Sequence, residues 1–311
     1  MMCCPIHGGD NPNGCTMFEN GEKLLGGWTC WTHGCEKKHG SDILGFIRGV
    51  LKKDFISTVE FALKFLNNEI DQIEEQEFDI SIYEMDKIVE TLSKQRKKYI
   101  PLITPEIIRK SLFIPSTFFL AKGFSREVLL DFDVGDCYTN GKPMYMRAVT
   151  PIYNENYEYV GCAGRDITDT HEVKWLYNRA KDKDGNEIPL KANLYGLYKA
   201  TEEINRTNTI IIVEGQGDVW RLKEAGLCNA VAMLGAKMLE EQLLILDSLQ
   251  IYNMVILTDM DQSGRDAVKH IKKMCGRRFN YISPEYSAHD TGDMTVEQIN
   301  LEIKPLLKGI L

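Results

Sequence analysis

Two short runs, "TIIIVEGQGD" (209–218) and "NMVILTDMDQSG" (253–264), restrict the fold of this chain more than any other feature. Each is apolar at every position for four or five residues and then turns abruptly acidic. A strand with one wet face alternates apolar and polar residues, whereas an unbroken apolar run of this length is a strand covered on both faces. Between and after them come helical segments ("DVWRLKEAG", "MLEEQLLILDSL", "GRDAVKHIKKM") and further short strands ("NAVAML", "RFNYIS"). Strands alternating with helices predict a parallel sheet of Rossmann-like, doubly wound type with helices on both faces.

In such a sheet the ligand crevice lies at the carboxyl ends of the strands. Glu214, Asp259 and Asp261 all fall at such ends. Carboxylates this close raise each other's pKa and cost stability unless a cation is shared between them. A set of oxygen ligands suits Mg²⁺ or Mn²⁺ rather than zinc. "AHDTGDM" adds Asp290 and Asp293 after the next strand as further candidate ligands. Gly235, in "MLGAK", follows another strand end, either as a turn residue or to let backbone approach a ligand.

The first 50 residues are different in character, rich in Cys, His and Gly and poor in apolar runs. "CPIH" offers Cys4 and His7, and "CWTHGC" offers Cys30, His33 and Cys35. This layout predicts one tetrahedral, structural zinc held by Cys4, His7, Cys30 and Cys35, with Cys3 in place of Cys4 and His33 in place of Cys35 as the alternatives. Trp28 and Trp31 flank Cys30, and Lys37, Lys38 and His39 follow. The two tryptophans serve either as the module's miniature core or as base-stacking contacts. "SDILGFIRGVLKK" (41–53) reads as a helix capped by Ser41 or Asp42 that closes the module.

The rest of the chain divides by pattern. Residues 51–100 form an expected helical linker, with apolar periodicity through Phe55, Val59, Ala62, Leu63 and Leu66 and again through Ile82, Met85, Ile88 and Leu92. Residues 101–206 read as a mixed subdomain with antiparallel strands in "MYMRAVTPIYNENYEYVGCAGRDI". The parallel-sheet domain is expected over 207–293 and a helical tail over 294–311. Overall this is an α/β chain, α+β when its modules are taken together.

The net charge of −8 argues against nucleic-acid binding only until its distribution is read. Residues 54–93 hold 11 acids against Lys64 and Lys87, so the remainder is near neutral, and "KQRKKY" follows at once. None of the 311 residues begins an apolar run long enough to span a bilayer, and the start lacks a signal-peptide pattern, so a cytoplasmic protein is expected. Nine cysteines in such a chain point to metal and core thiols rather than disulfides.

"VEGQGD", "MLGAK" and "TDMDQSGRDA" resemble the TOPRIM motif of bacterial-type primases, topoisomerases and some nucleases. "CPIH…CWTHGC" resembles the zinc-binding module of bacterial and phage (DnaG-like) DNA primases, and "FFLAKGFSREVL", "RAVTPIYNENYEYVGCAGRDI" and "LKANLYGLYKA" resemble the segment between those modules. The resemblance implies a metal-dependent RNA polymerase making short primers from ribonucleoside triphosphates on single-stranded DNA. It implies Glu214, Asp259 and Asp261 as metal-binding acids with Asp218, Asp290 and Asp293 nearby. It places Arg147, Arg165, Lys191 and Asn193 among the positions facing template or nucleotide. The Cys30–Cys35 spacing is wider than the usual Cys-x2-Cys, and the acidic linker lies outside the motif set. The chain ends about 20 residues past Asp290 and carries no phosphate-loop motif, so a phage or mobile-element primase working with a separate helicase is expected. A TOPRIM nuclease and a non-catalytic zinc/TOPRIM recombination mediator are the alternatives.

Overall fold

The computed structural model describes residues 1–18, 27–69, 99–276 and 278–310. At the amino end, β1 (Cys15–Phe18) and β2 (Gly27–Cys30) pair antiparallel, with Cys15 opposite Cys30. A short helix α1 (Cys35–His39) and α2 (Ile43–Leu51) follow. Asp42 is the residue that caps α2, its carboxylate accepting from the Gly45 amide at 2.7 Å. The first expected linker helix is α3 (Phe55–Glu69); the second, through Ile82 and Leu92, lies outside the described residues.

The middle of the chain carries three short helices, α4 (Pro105–Ser111), α5 (Thr117–Ala121) and α6 (Arg126–Asp131). They lead into a four-stranded antiparallel sheet of order β3-β4-β5-β6: β3 (Gly135–Cys137), β4 (Arg147–Tyr153), β5 (Tyr159–Asp166) and β6 (Trp175–Arg179). β4 is buried along its whole length, which is why "RAVTPIY" lacks clean alternation. Sequence pattern did not resolve β6, whose outward residues mask its period.

After α7 (Leu197–Thr207) comes the parallel sheet, order β10-β9-β7-β8, from β7 (Thr209–Val213), β8 (Ala230–Ala232), β9 (Asn253–Leu257) and β10 (Asn280–Ile282). Helices α8 (Gln216–Glu224), α9 (Glu240–Asp247) and α10 (Gln262–Cys275) connect its strands, and helical turns occupy 296–307. Alternate residues of β7 enter two different cores: Ile211 and Val213 join the one shared with the antiparallel sheet, and Ile210 and Ile212 the one beneath α7 and α10. That division is the physical meaning of the unbroken apolar run.

The zinc module rests on the amino-terminal edge of this parallel sheet. Arg48 of α2 is buried and donates to the carbonyls of Arg278, at 3.0 Å, and Ile251. Its guanidinium lies 4.3 Å from the Tyr252 ring centroid, and the His39 ring packs against the same ring, tilted, with centroids 4.6 Å apart. The Asn280 side chain also donates to the Lys37 carbonyl at 3.1 Å.

Candidate metal centre and acidic crevice

β7 and β9 are neighbours in parallel register, Val213 beside Leu257. The residues that leave them therefore emerge side by side. The Asp259 amide donates to Oε1 of Glu214 at 3.3 Å. Asp261 is the N-cap of α10, accepting from the Gly264 amide at 2.9 Å, so its carboxylate is fixed against the helix start. Gly264 is required here by close approach: a Cβ would stand 1.9 Å from the Asp259 carbonyl oxygen.

A second loop closes over the crevice. The Met260 amide donates to the His289 carbonyl at 2.7 Å, which brings His289 above the acids. Asp259, Asp261 and His289 offer ligand atoms within 4.8 Å of one another. The imidazole lies 4.0 Å from Asp259 Oδ2, 3.8 Å from Asp261 Oδ2 and 3.8 Å from Asp290 Oδ2. His289 was missed in the sequence, although it stands directly before the Asp290 singled out there.

Asp218 takes a different place from that expected of a metal ligand. It is buried, and its carboxylate accepts from the Gly215 amide at 2.9 Å, the Thr291 hydroxyl at 3.0 Å and the Gly292 amide at 2.8 Å. It thus ties the 290 loop to the start of α8. Asp290 accepts from the Asp293 amide at 2.8 Å, which orders the rim of the crevice.

The crowding is visible in the acid strengths. Burial, then the Asp259 charge, raises Glu214 above the ordinary carboxylate range. Burial, then Asp290, raises Asp259 likewise. Burial, then Asp290, pushes Asp218 up to about 7. Carboxylates held together against their own repulsion fit a shared divalent cation, with Asp259 and Asp261 as its nearest donors and Glu214 beside them.

The zinc ligands resolve cleanly. Cys4, His7, Cys30 and Cys35 gather with all donor atoms within 4.8 Å. Cys4 Sγ lies 3.9 Å from Cys35 Sγ, Cys30 Sγ 3.7 Å from His7 Nδ1, and His7 Nδ1 3.2 Å from Cys35 Sγ. A Zn–S bond of about 2.3 Å sets tetrahedral ligand separations near 3.8 Å, so the set fits zinc. Cys3 is exposed, and His33 packs against the His7 ring, tilted, with centroids 4.0 Å apart and outside the four-ligand cluster, so neither alternative is taken. Burial pushes the Cys30 thiol up, but the Thr32 hydroxyl and the Cys35, His33 and Thr32 amides outweigh it and bring it to about 5.

Three expected nucleic-acid contacts are turned inward. Trp28 is the module's core, 1% exposed, its indole donating to the Gly40 carbonyl at 2.7 Å. Arg147 is buried and donates to the carbonyls of Gly164 at 3.1 Å and Lys174 at 3.3 Å, work that a template phosphate would interrupt. Asn193 is buried, its amide donating to the Leu190 carbonyl at 3.2 Å. By contrast Trp31 is 65% exposed. Arg165 keeps a buried Nη1 with no hydrogen-bond partner among the described residues, and Lys191 sits with Nζ 4.9 Å from the Tyr177 ring centroid.

Residues 208–283 match the family model of the Toprim domain. The DNA primase of Aquifex aeolicus is 28% identical over 287 residues, covering 86% of this chain and 54% of that protein. The DNA primase of Borreliella burgdorferi is 26% identical over 308 residues, covering 88% and 55%. The chain spans about half the length of the curated relatives it matches. Among solved structures, the zinc-binding and RNA polymerase domains of Aquifex aeolicus primase superpose with a TM-score of 0.51 at 19% identity, covering 97% of this chain and 79% of that one. A DnaG catalytic core superposes with a TM-score of 0.51 at 22% identity, covering 64% and 75%. At those identities the superpositions speak to the fold, and the sequence matches speak to descent. In sequence the chain is similar to bacterial DNA primases, and in fold to the zinc-binding and RNA polymerase domains of one of them.

Proposed function

We propose that the chain synthesises short RNA primers on single-stranded DNA, joining a 3′-hydroxyl to the α-phosphate of an incoming ribonucleotide with release of pyrophosphate. The observation that carries this reading is the pairing of Asp259 and Asp261 with Glu214 at adjacent strand ends, in a chain that also has a closed Cys/His zinc site. Glu214, Asp259 and Asp261 are the residues to hold Mg²⁺ or Mn²⁺, with Asp290 and Asp293 at the rim. Bound there, such a cation would supply a lowered pKa for the attacking hydroxyl and charge neutralisation for the leaving pyrophosphate.

The protein's own part is positional. Asp261 presents its carboxylate from a capped helix start, and Asp218 holds the 290 loop so that His289 and Asp290 face Asp259. Arg165 and Lys191 are the cations for template or triphosphate, and Trp31 is the remaining aromatic candidate on the zinc module. The modules take the bounds 1–50, 51–100, 101–206, 207–293 and 294–311. A cytoplasmic, phage-type protein acting with a separate helicase completes the reading; among the described residues no helix is long and apolar enough to cross a membrane.

The test feeds labelled ribonucleoside triphosphates and Mg²⁺ with a panel of single-stranded templates. Labelled products shorter than the template support the reading. Shortening of a labelled template makes the site a nuclease, and binding with neither product makes the chain a mediator.

A further inference from the structure

Among the described residues β6 is the outer strand of the antiparallel sheet, paired on one side only, by β5. Trp175 and Tyr177 alternate along it and so share one face, about 6.6 Å apart at the usual strand rise. They are 39% and 38% exposed. Large exposed aromatics on an unpaired edge are a liability to a protein that has no use for them.

Trp175 has one face toward the Phe119 ring, centroids 6.5 Å apart and 28° between the planes, and cations lie beside both aromatics. Arg165 lies directly across from Trp175 in the register, and the small Ala163 lies across from Tyr177. Lys191 reaches over the Tyr177 ring, and its Nζ is 3.8 Å from where a Gly235 Cβ would be. The Gly235 amide in turn donates to the Glu214 carbonyl at 3.2 Å. Lys191 and Gly235 therefore lie between Tyr177 and the strand end that carries Glu214. Planar rings interleaved with cations suit a single strand, whose bases stack on the rings while its phosphates meet the cations, without sequence preference.

We propose that Trp175 and Tyr177 form a base-stacking platform that leads single-stranded DNA into the acidic crevice, with Lys191 holding a phosphate between the two. This rests on the function proposed above and extends it to two residues outside the motifs.

The experiment is fluorescence anisotropy of a labelled oligothymidylate with the zinc-loaded full chain, without Mg²⁺ or nucleotides. Trp175→Ala and Tyr177→Ala are each expected to weaken binding at least about fivefold, the lower end of one lost base stack. Trp175→Phe and Tyr177→Phe should stay within about twofold of wild type, which separates stacking from damage to the fold. Lys191→Gln should lower the salt slope by about one. Alanine variants that bind as wild type, or phenylalanine variants as weak as alanine, overturn the platform. So does a wild-type dimer that the same alanine substitutions dissociate, which makes the edge a subunit contact. If the wild type binds by this pattern yet makes no primer, the platform stands and the primase reading falls. If primers are made and the alanine variants bind normally, the platform alone falls.

Discussion

The Asp259 amide donates to the Glu214 carboxylate at 3.3 Å, so the acid that ends β7 also fixes the loop that leaves β9. The two acids are coupled through backbone as well as charge. Asp259→Asn keeps the amide and the volume and removes only the charge. It is expected to lower ribonucleotide incorporation at least about a hundredfold, the scale for losing one preorganised electrostatic contact. Zinc content should not change. Because burial and Asp290 already disfavour the charged form, the variant should melt no lower than wild type in EDTA. A melting curve with and without Mg²⁺ checks this: added metal should stabilise wild type more than the variant.

Gly264→Ala tests the backbone side of the same site. The added Cβ would meet the Asp259 carbonyl at 1.9 Å, and backbone cannot yield as a side chain would. Expected are a loss of about 1–3 kcal/mol in denaturant unfolding and a fall in incorporation, with every ligand side chain still present. Full activity would mean the loop tolerates a different path.

Much of this was legible because burial leaves a mark on composition. "IIIV" and "MVIL" enter two cores at once, so they carry no polar residue, and the acids that follow stand out against them. The zinc ligands were legible because metal spacing is a local property. Between Cys4 and Cys3, only burial decides. What stayed hidden depends on contacts between distant segments. Nothing in "SAHDTGDM" says that the Met260 amide will hold the His289 carbonyl and place that imidazole over two acids. Nor does "RAV" reveal that Arg147 is spent on the carbonyls of Gly164 and Lys174. β6 was lost because an edge strand with outward aromatics lacks the apolar–polar period that identifies strands.

Asp247 gives a pH dependence of known sign. Its Oδ1 is 3.0 Å from Arg278 Nε, both side chains buried, without an aligned hydrogen bond to offset desolvation. Burial therefore raises it to about 6 despite Arg278. An unfolded Asp ionises near 3.9. Between those values the folded state binds more protons, so this group's contribution is present below about pH 4 and is lost as pH rises to about 6. Asp247→Asn removes that slope. Its stability relative to wild type should climb by about 2–3 kcal/mol from pH 4 to 6.5. The lost Arg278 partner adds a roughly constant offset, so the slope is the quantity to read from urea unfolding across that range.

Cys35→Ser should abolish zinc binding, whereas Cys3→Ser should leave it intact, as measured by metal content after gel filtration. With the metal gone the small core around Trp28 has little else to hold it. Hydrogen exchange should then rise across β1, β2 and α1 while β7 and β9 keep their protection, since each is buried in the larger cores.

Asp218→Asn separates a residue that arranges the site from one that binds the metal. The carboxylate accepts three hydrogen bonds, from Gly215, Thr291 and Gly292. An amide in its place has one accepting oxygen, and its NH₂ would face a donor. The 290 loop should loosen, carrying His289 and Asp290 away from Asp259. The apparent affinity for the divalent metal is expected to fall about 10–100-fold, as for other groups that orient metal ligands. Incorporation at saturating metal should recover most of its wild-type rate, which Asp259→Asn should not do. If Asp218→Asn instead stays inactive at every metal concentration, Asp218 is itself a ligand, and its three hydrogen bonds must open when the metal enters.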